Sequence, residues 1–215
     1  MSVNNYSLKR DGRKCLSENF KVSEFACKDG SDVVLVDSDL VELLQKIRDH
    51  FGRPLIISSG YRTPSHDKAV GGTGKGYHTK GMAADVYIKG VNPCRIAYYA
   101  DGIAKGMGGI ELAPYDGGDY VHIDTRKGVW RALLVRPGNG YETVARLFPE
   151  ISKGSRGQAV YLLQNILDEL GCSCNADGIF GPRTEKSLRE FQSNAGIDSD
   201  GICGPVTWEK LINNL

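Results

Sequence analysis

Two histidines and a carboxylate stand in this chain where a metal ion could use them. His78 and Asp85 are separated by Thr79-Lys80-Gly81-Met82-Ala83-Ala84, small enough residues for a loop to turn into a strand and aim both side chains at one point. A third ligand, His122, is offered by Tyr120-Val121-His122-Ile123-Asp124, a short apolar stretch of strand character. Three nitrogen or oxygen ligands with one open position make the arrangement of a catalytic zinc.

The elements around these residues can be read from periodicity. Leu40, Leu43, Leu44, Ile47 and Phe51 follow helical spacing, with Ser38 or Asp39 as cap and Gly52 and Pro54 as terminators, which predicts a helix packed on a sheet. Leu55-Ile56-Ile57-Ser58 reads as a buried strand that delivers Arg62 at its exit. Glycines 71, 72, 74, 76 and 81 make a long loop leading into His78, and such loops inside a compact domain tend to be functional. Ala84–Ile88 reads as the next strand, and Asn92-Pro93 as a cap followed by proline at the first helical position. Gly108–Leu112 and Tyr120–Asp124 read as paired strands joined by the turn-rich Ala113–Gly118, with Ala132–Val135 as an edge strand. Residues 1–17 are polar and expected to be loose, and Phe20, Val22 and Phe25 to lie in a short extended piece.

Taken together, His78-x-x-Gly81-x-Ala83-x-Asp85, Ser59-Gly60-Tyr61-Arg62-Thr63-Pro64 before it and His122-x-Asp124 after it resemble the zinc D-Ala-D-Ala metallopeptidase family, relatives of the hedgehog-like peptidase fold. The resemblance implies an α+β domain over residues 18–135 with an antiparallel sheet, and zinc held by His78, Asp85 and His122. It implies that Arg62 polarises the scissile carbonyl or holds substrate, a task suited to a fixed guanidinium. The proton shuttle such a hydrolysis needs has two candidates. Asp119, three residues before His122, occupies the position of the acidic base in several family members and is preferred. Asp124, two residues after, would share the His122 face on a strand and either orient that ligand or act as base. Arg126 is a candidate for a peptide carboxylate or a plain surface residue. His50 and His66 fall outside the ligand pattern.

After the Gly/Pro-rich connector over residues 136–150 the pattern changes. Asp177-Gly178-Ile179-Phe180-Gly181-Pro182-Arg183-Thr184 returns as Asp200-Gly201-Ile202-Cys203-Gly204-Pro205-Val206-Thr207, and Leu188 returns as Leu211. Asp-Gly makes each turn and proline opens each following helix. With Gln158–Leu170 as a preceding helix, residues 151–215 are expected to form a small all-α three-helix bundle. This repeat and its lead-in resemble the peptidoglycan-binding helical domain often appended to wall hydrolases, with Cys203 at a usually aromatic or aliphatic position. Tyr161, Trp208 and Arg183 are possible contacts for a sugar or peptide, or core and surface residues.

Composition limits the alternatives. Lys and Arg number 27 against 26 Asp and Glu, so no overall field draws the chain to nucleic acid or anionic lipid. No apolar run approaches the ~20 residues of a membrane span, and the N-terminus lacks a secretory h-region. The six cysteines show no CxxC pair and read as reduced, mostly buried thiols; a metal or disulfide cluster of Cys172, Cys174 and Cys203 is disfavoured. The expectation is therefore a monomeric zinc peptidase acting on stem peptides of peptidoglycan. Without an export signal, it would be made in the cytoplasm and act at the wall after release, as a phage endolysin does. The alternatives are a host autolysin or sporulation carboxypeptidase, a non-catalytic zinc-stabilised wall-binding protein, and a hedgehog-like interaction module.

Overall fold

A computed structural model describes residues 2–114, 120–134 and 142–215. The chain is mixed α+β and divides into two compact units, residues 1–111 with 119–130, and residues 112–118 with 131–215.

In the first unit, strand β1 (Val3–Ser7) pairs antiparallel with β2 (Val33–Asp37), so the polar N-terminus is ordered rather than loose. Its pairing partner is the apolar run Val33–Val36, and Asp32 adds bonds from the Ser7 hydroxyl and the Lys9 amide. Helix α1 (Leu8–Asp11) follows β1. Phe20, Val22 and Phe25 are all buried, but through a 3-10 turn at Val22–Phe25 instead of an extended piece. The spacing from 22 to 25 is that of one 3-10 turn, which buries Val22 and Phe25 on the same side without extending the backbone.

Helix α2 (Ser38–Phe51) buries Leu40, Leu44 and Ile47 and ends at Gly52, whose φ of +59° is the left-handed stop glycine favours. Its cap is Asp37, one residue earlier than expected. Strand β3 (Leu55–Ser59) lies at a sheet edge, and Ile56 is 38% exposed, so only part of this strand is buried. Helix α3 (Pro64–Ala69) follows, capped by Thr63. Strand β4 (Ala83–Ile88) pairs with β3 on one side and β6 (Val121–Asp124) on the other, both antiparallel. Strand β5 (Gly108–Leu112) is the next neighbour of β6. Helix α4 (Pro93–Ile103), capped by Asn92, closes a core of Ile96, Ala97 and Ala100 with Val86, Ile88, Val121 and Ile123.

In the second unit, β7 (Val129–Leu133), which starts before the expected edge strand and in the first unit, pairs with β8 (Glu142–Val144). Val135 and the Gly/Pro-rich connector residues 136–141 lie outside the described residues. Helices α5 (Gln158–Glu169), α6 (Pro182–Asn194) and α7 (Pro205–Asn213) form the predicted three-helix unit, with proline at the first turn of α6 and α7. The repeat is visible in side chains. Phe180 and Cys203 occupy equivalent core positions, as do Leu188 and Leu211. Buried Gln164 donates to Asp177 Oδ1, the Ile179 carbonyl and Thr184 Oγ1, and buried Gln192 repeats this with Asp200, Ile202 and Thr207. All six cysteines are free thiols, with Cys172 and Cys203 buried. Trp208 is fully buried, its indole N–H given to the Pro149 carbonyl, which removes it as a ligand contact.

Candidate metal centre

Strand register brings two of the three expected ligands together. Asp85 on β4 and His122 on β6 are direct cross-strand partners, a placement that sets Cβ atoms ~4.5–5.5 Å apart. His78 reaches the same point from the first position of a 3-10 turn, His78–Lys80, that ends at Gly81. Gly81 has φ +71°, and a Cβ there would lie 2.5 Å from the Leu35 backbone, so both conformation and space require glycine.

The three ligand atoms converge. Asp85 Oδ1 is 2.9 Å from His122 Nδ1 and 3.2 Å from His78 Nε2, and the two nitrogens are 3.2 Å apart. His78 and Asp85 are 6% and 7% exposed, so the point is nearly dry. The outer ring nitrogens are both engaged. His78 Nδ1 lies 2.7 Å from the Gly60 carbonyl, and His122 Nε2 lies 3.3 Å from Asp124 Oδ2. Such partners fix the tautomer and leave the inward nitrogen's lone pair for a metal. The donor set therefore fits a divalent ion of the zinc type, and it is the one such cluster of three among the described residues.

The candidate carboxylate ligand is held as firmly. Arg62 gives Nη2 to Asp85 Oδ2 at 2.6 Å, Nε to Ser59 Oγ at 2.8 Å, and Nη1 to Asp67 at 3.4 Å. Asp67 is buried and accepts the Gly74 amide at 2.8 Å. A Cβ on Gly72 would fall 2.2 Å from that carboxylate, so the glycine loop predicted to serve the site does so by wrapping Asp67. Arg62 thus sits on a candidate ligand, where it holds Asp85 with one oxygen facing the histidines.

Asp124 is fully buried and saturated. It accepts from Arg126 Nε at 2.8 and 2.9 Å, from Arg126 Nη2, and from the Gly109 amide at 3.1 Å. Its Oδ2 lies against His122 Nε2, where a carboxylate can orient the ring of a metal-binding histidine. Arg126 gives Nε and Nη2 to this carboxylate. Asp119, the preferred base, lies outside the described residues. His50 stacks on Tyr99 at 3.7 Å, and His66 also stands outside the group.

Charge follows geometry. Burial works against ionisation of Asp85, but hydrogen bonds from His122 and His78 prevail and keep it well below the usual carboxylate range. Burial likewise opposes charge on Asp124, and His122 and Arg126 overcome it. Burial disfavours charge on His122, yet its bonds to Asp124 and Asp85 raise its pKa to about 9 in the metal-free protein.

One further residue joins the two ligand segments. Asp37 gives its amide to the Gly81 carbonyl at 2.8 Å and accepts the Thr125 hydroxyl at 2.5 Å. Nothing in the sequence singled it out, since its role is set by contacts across the chain.

Comparison with known proteins agrees with both halves. Residues 18–124 match the family Peptidase M15, and residues 156–211 match a putative peptidoglycan binding domain. The chain is 41% identical over 64 residues to a zinc D-Ala-D-Ala carboxypeptidase of Streptomyces albus G, covering 28% of this chain and 25% of the relative. It is 28% identical over 124 residues to the peptidoglycan L,D-endopeptidase MepK of Escherichia coli, covering 54% of this chain and 66% of the relative. A solved structure of a Burkholderia AP3 phage endolysin is 37% identical over 29% of this chain and 24% of that one, with a TM-score of 0.29. The chain spans 60% or less of the length of the first two curated relatives.

Proposed function

Because the chain joins a peptidase M15 domain to a peptidoglycan-binding domain, we propose that it hydrolyses an amide bond in the stem peptide of bacterial peptidoglycan with the help of zinc. Residues 18–135 would carry the chemistry and residues 151–215 would hold the enzyme on the wall. The observation that carries this reading is the convergence of His78 Nε2, Asp85 Oδ1 and His122 Nδ1 in a nearly dry site with every outer atom anchored.

Zinc held by these three residues would supply Lewis-acid polarisation of the scissile carbonyl and acidify water at the site. The chain's own residues do the rest. Asp119 takes a proton from the attacking water and passes it to the departing amine, so that water adds to the carbonyl carbon as the C–N bond breaks. Asp124 keeps His122 in one tautomer and one ring orientation. Arg62 holds Asp85 aimed inward. The C-terminal unit, tethered by the chain, raises the local concentration of wall peptide at the site. We extend the reading to a bacteriolytic, endolysin-like role.

Mass spectrometry of fragments from purified peptidoglycan tests this. Peptide-bond cleavage that stops with a chelator and returns with zinc is expected. Intact walls, or cleavage indifferent to the chelator, would overturn it.

A further inference from the structure

Arg126 occupies an unusual position for a charged side chain. Its guanidinium lies 4.3 Å from the ring centre of Tyr77 and 4.2 Å from that of Trp130, while its edge is turned onto Asp124 through Nε and Nη2. Arg126 is 17% exposed and Asp124 fully buried, so this is not a solvated ion pair. Planar, delocalised charge is the feature that permits both contacts at once; an ammonium could make one or the other.

Each partner of the stack leads to a ligand. Tyr77 is the cap residue immediately before His78, at the start of the 3-10 turn that presents it. Asp124 lies against His122 Nε2. Trp130 comes from β7, which follows the His122 strand in the chain. Around Asp124 the backbone has made room: a Cβ on Gly109 would fall 2.2 Å from the carboxylate and 2.8 Å from Arg126 Nε.

We propose that the Tyr77–Arg126–Trp130 stack is a positioning device for the metal centre, which fixes Asp124 against His122 and ties the backbone before His78 to the backbone after His122. In this proposal Arg126 acts through these neighbours. The proposal rests on the zinc reading above and adds residues that no ligand pattern contains.

The test is cobalt(II) affinity, measured on the full chain by competition with a chromophoric chelator. Arg126→Lys keeps the charge but loses the fork and the stack, and is expected to weaken binding about 10–100-fold, the range for loss of an outer partner of a metal ligand. Asp124→Asn should weaken it similarly. The double variant should be weaker than Asp124→Asn alone by much less than the full Arg126→Lys factor, because part of the Arg126 effect passes through Asp124 and only the rest through the stack; a merely structural role predicts effects that multiply in full. Trp130→Leu, which leaves the ion pair and removes one face of the stack, should weaken binding several-fold and decides the matter if Arg126→Lys does not fold. Wild-type affinity in folded Arg126→Lys or Trp130→Leu, or effects that multiply in full, overturns the proposal while leaving the metal reading intact. Failure of the wild-type chain to bind cobalt overturns both.

Discussion

Gln164 and Gln192 in the C-terminal unit, and His78, Asp85 and His122 in the N-terminal one, are all polar groups kept from water, but they are used differently. Each glutamine amide is bonded to protein on both sides, donating to an aspartate, a carbonyl and a threonine while its own carbonyl accepts from the backbone of the Asp-Gly turn. Satisfied in this way, a buried polar group specifies a loop and has nothing left to bind. At the other site the outer atoms are satisfied and the inner ones face each other, two imidazole nitrogens and a carboxylate oxygen with no donor able to serve all three unless a histidine stays protonated. A polar cluster that closes on itself is structure; one that closes around a point can hold an ion.

The largest effect expected from this contrast is at the ligands. Asp85→Ala or His122→Ala should abolish both metal binding and wall hydrolysis, measured by metal content after dialysis and by fragment release, whereas Gln192→Leu should leave metal content unchanged. Asp119→Ala should retain the metal and lose ~10²–10⁴-fold in kcat, as removal of a general acid–base does; full activity would move the shuttle elsewhere.

Smaller effects fall on stability. Gln164→Leu or Gln192→Leu leaves loop amides and a threonine hydroxyl without their buried partner and should cost about 1–3 kcal/mol in urea unfolding. Gly109→Ala, with its Cβ driven toward Asp124, should cost a similar ~1–3 kcal/mol and, unlike the glutamine variants, also weaken metal binding.

The last is a pH dependence of the metal-free protein. His122 holds its proton up to about 9 when folded, against an ordinary 6.5. Its contribution to stability is therefore complete below about 6.5 and is lost as pH rises toward 9. Asp85 and Asp124, held below their ordinary 3.8, contribute above that value and cease to on acidification. Thermal melts should show stability falling on the alkaline side, and saturating zinc should flatten that slope, because a ligating imidazole has already given up its proton. A melting temperature independent of pH from 6.5 to 9 without metal would contradict this.

Much of this was legible in the chain. His78, Asp85 and His122 stood in recognisable local patterns, helix α2 announced itself by spacing, and the duplicated Asp-Gly-Ile-x-Gly-Pro gave away the helical unit. What escaped depends on register and close approach. Nothing local says that Asp85 and His122 are opposite one another, that Asp37 bridges Gly81 and Thr125, or that Asp124 is sealed beneath Arg126. The Gly108-Gly109 pair was the one hint of that enclosure, since glycine inside a strand marks a place where something approaches the backbone. The polar N-terminus misled because its order comes from backbone pairing with Val33–Asp37, which side-chain polarity does not report.

X-ray absorption on the zinc-loaded full chain examines the centre most directly. Two imidazole nitrogens completed by oxygen ligands, with one ion per chain and the signal lost in a His78→Ala/His122→Ala variant, is the predicted result. A sulfur-containing shell, or an ion that survives loss of both histidines, would contradict the account.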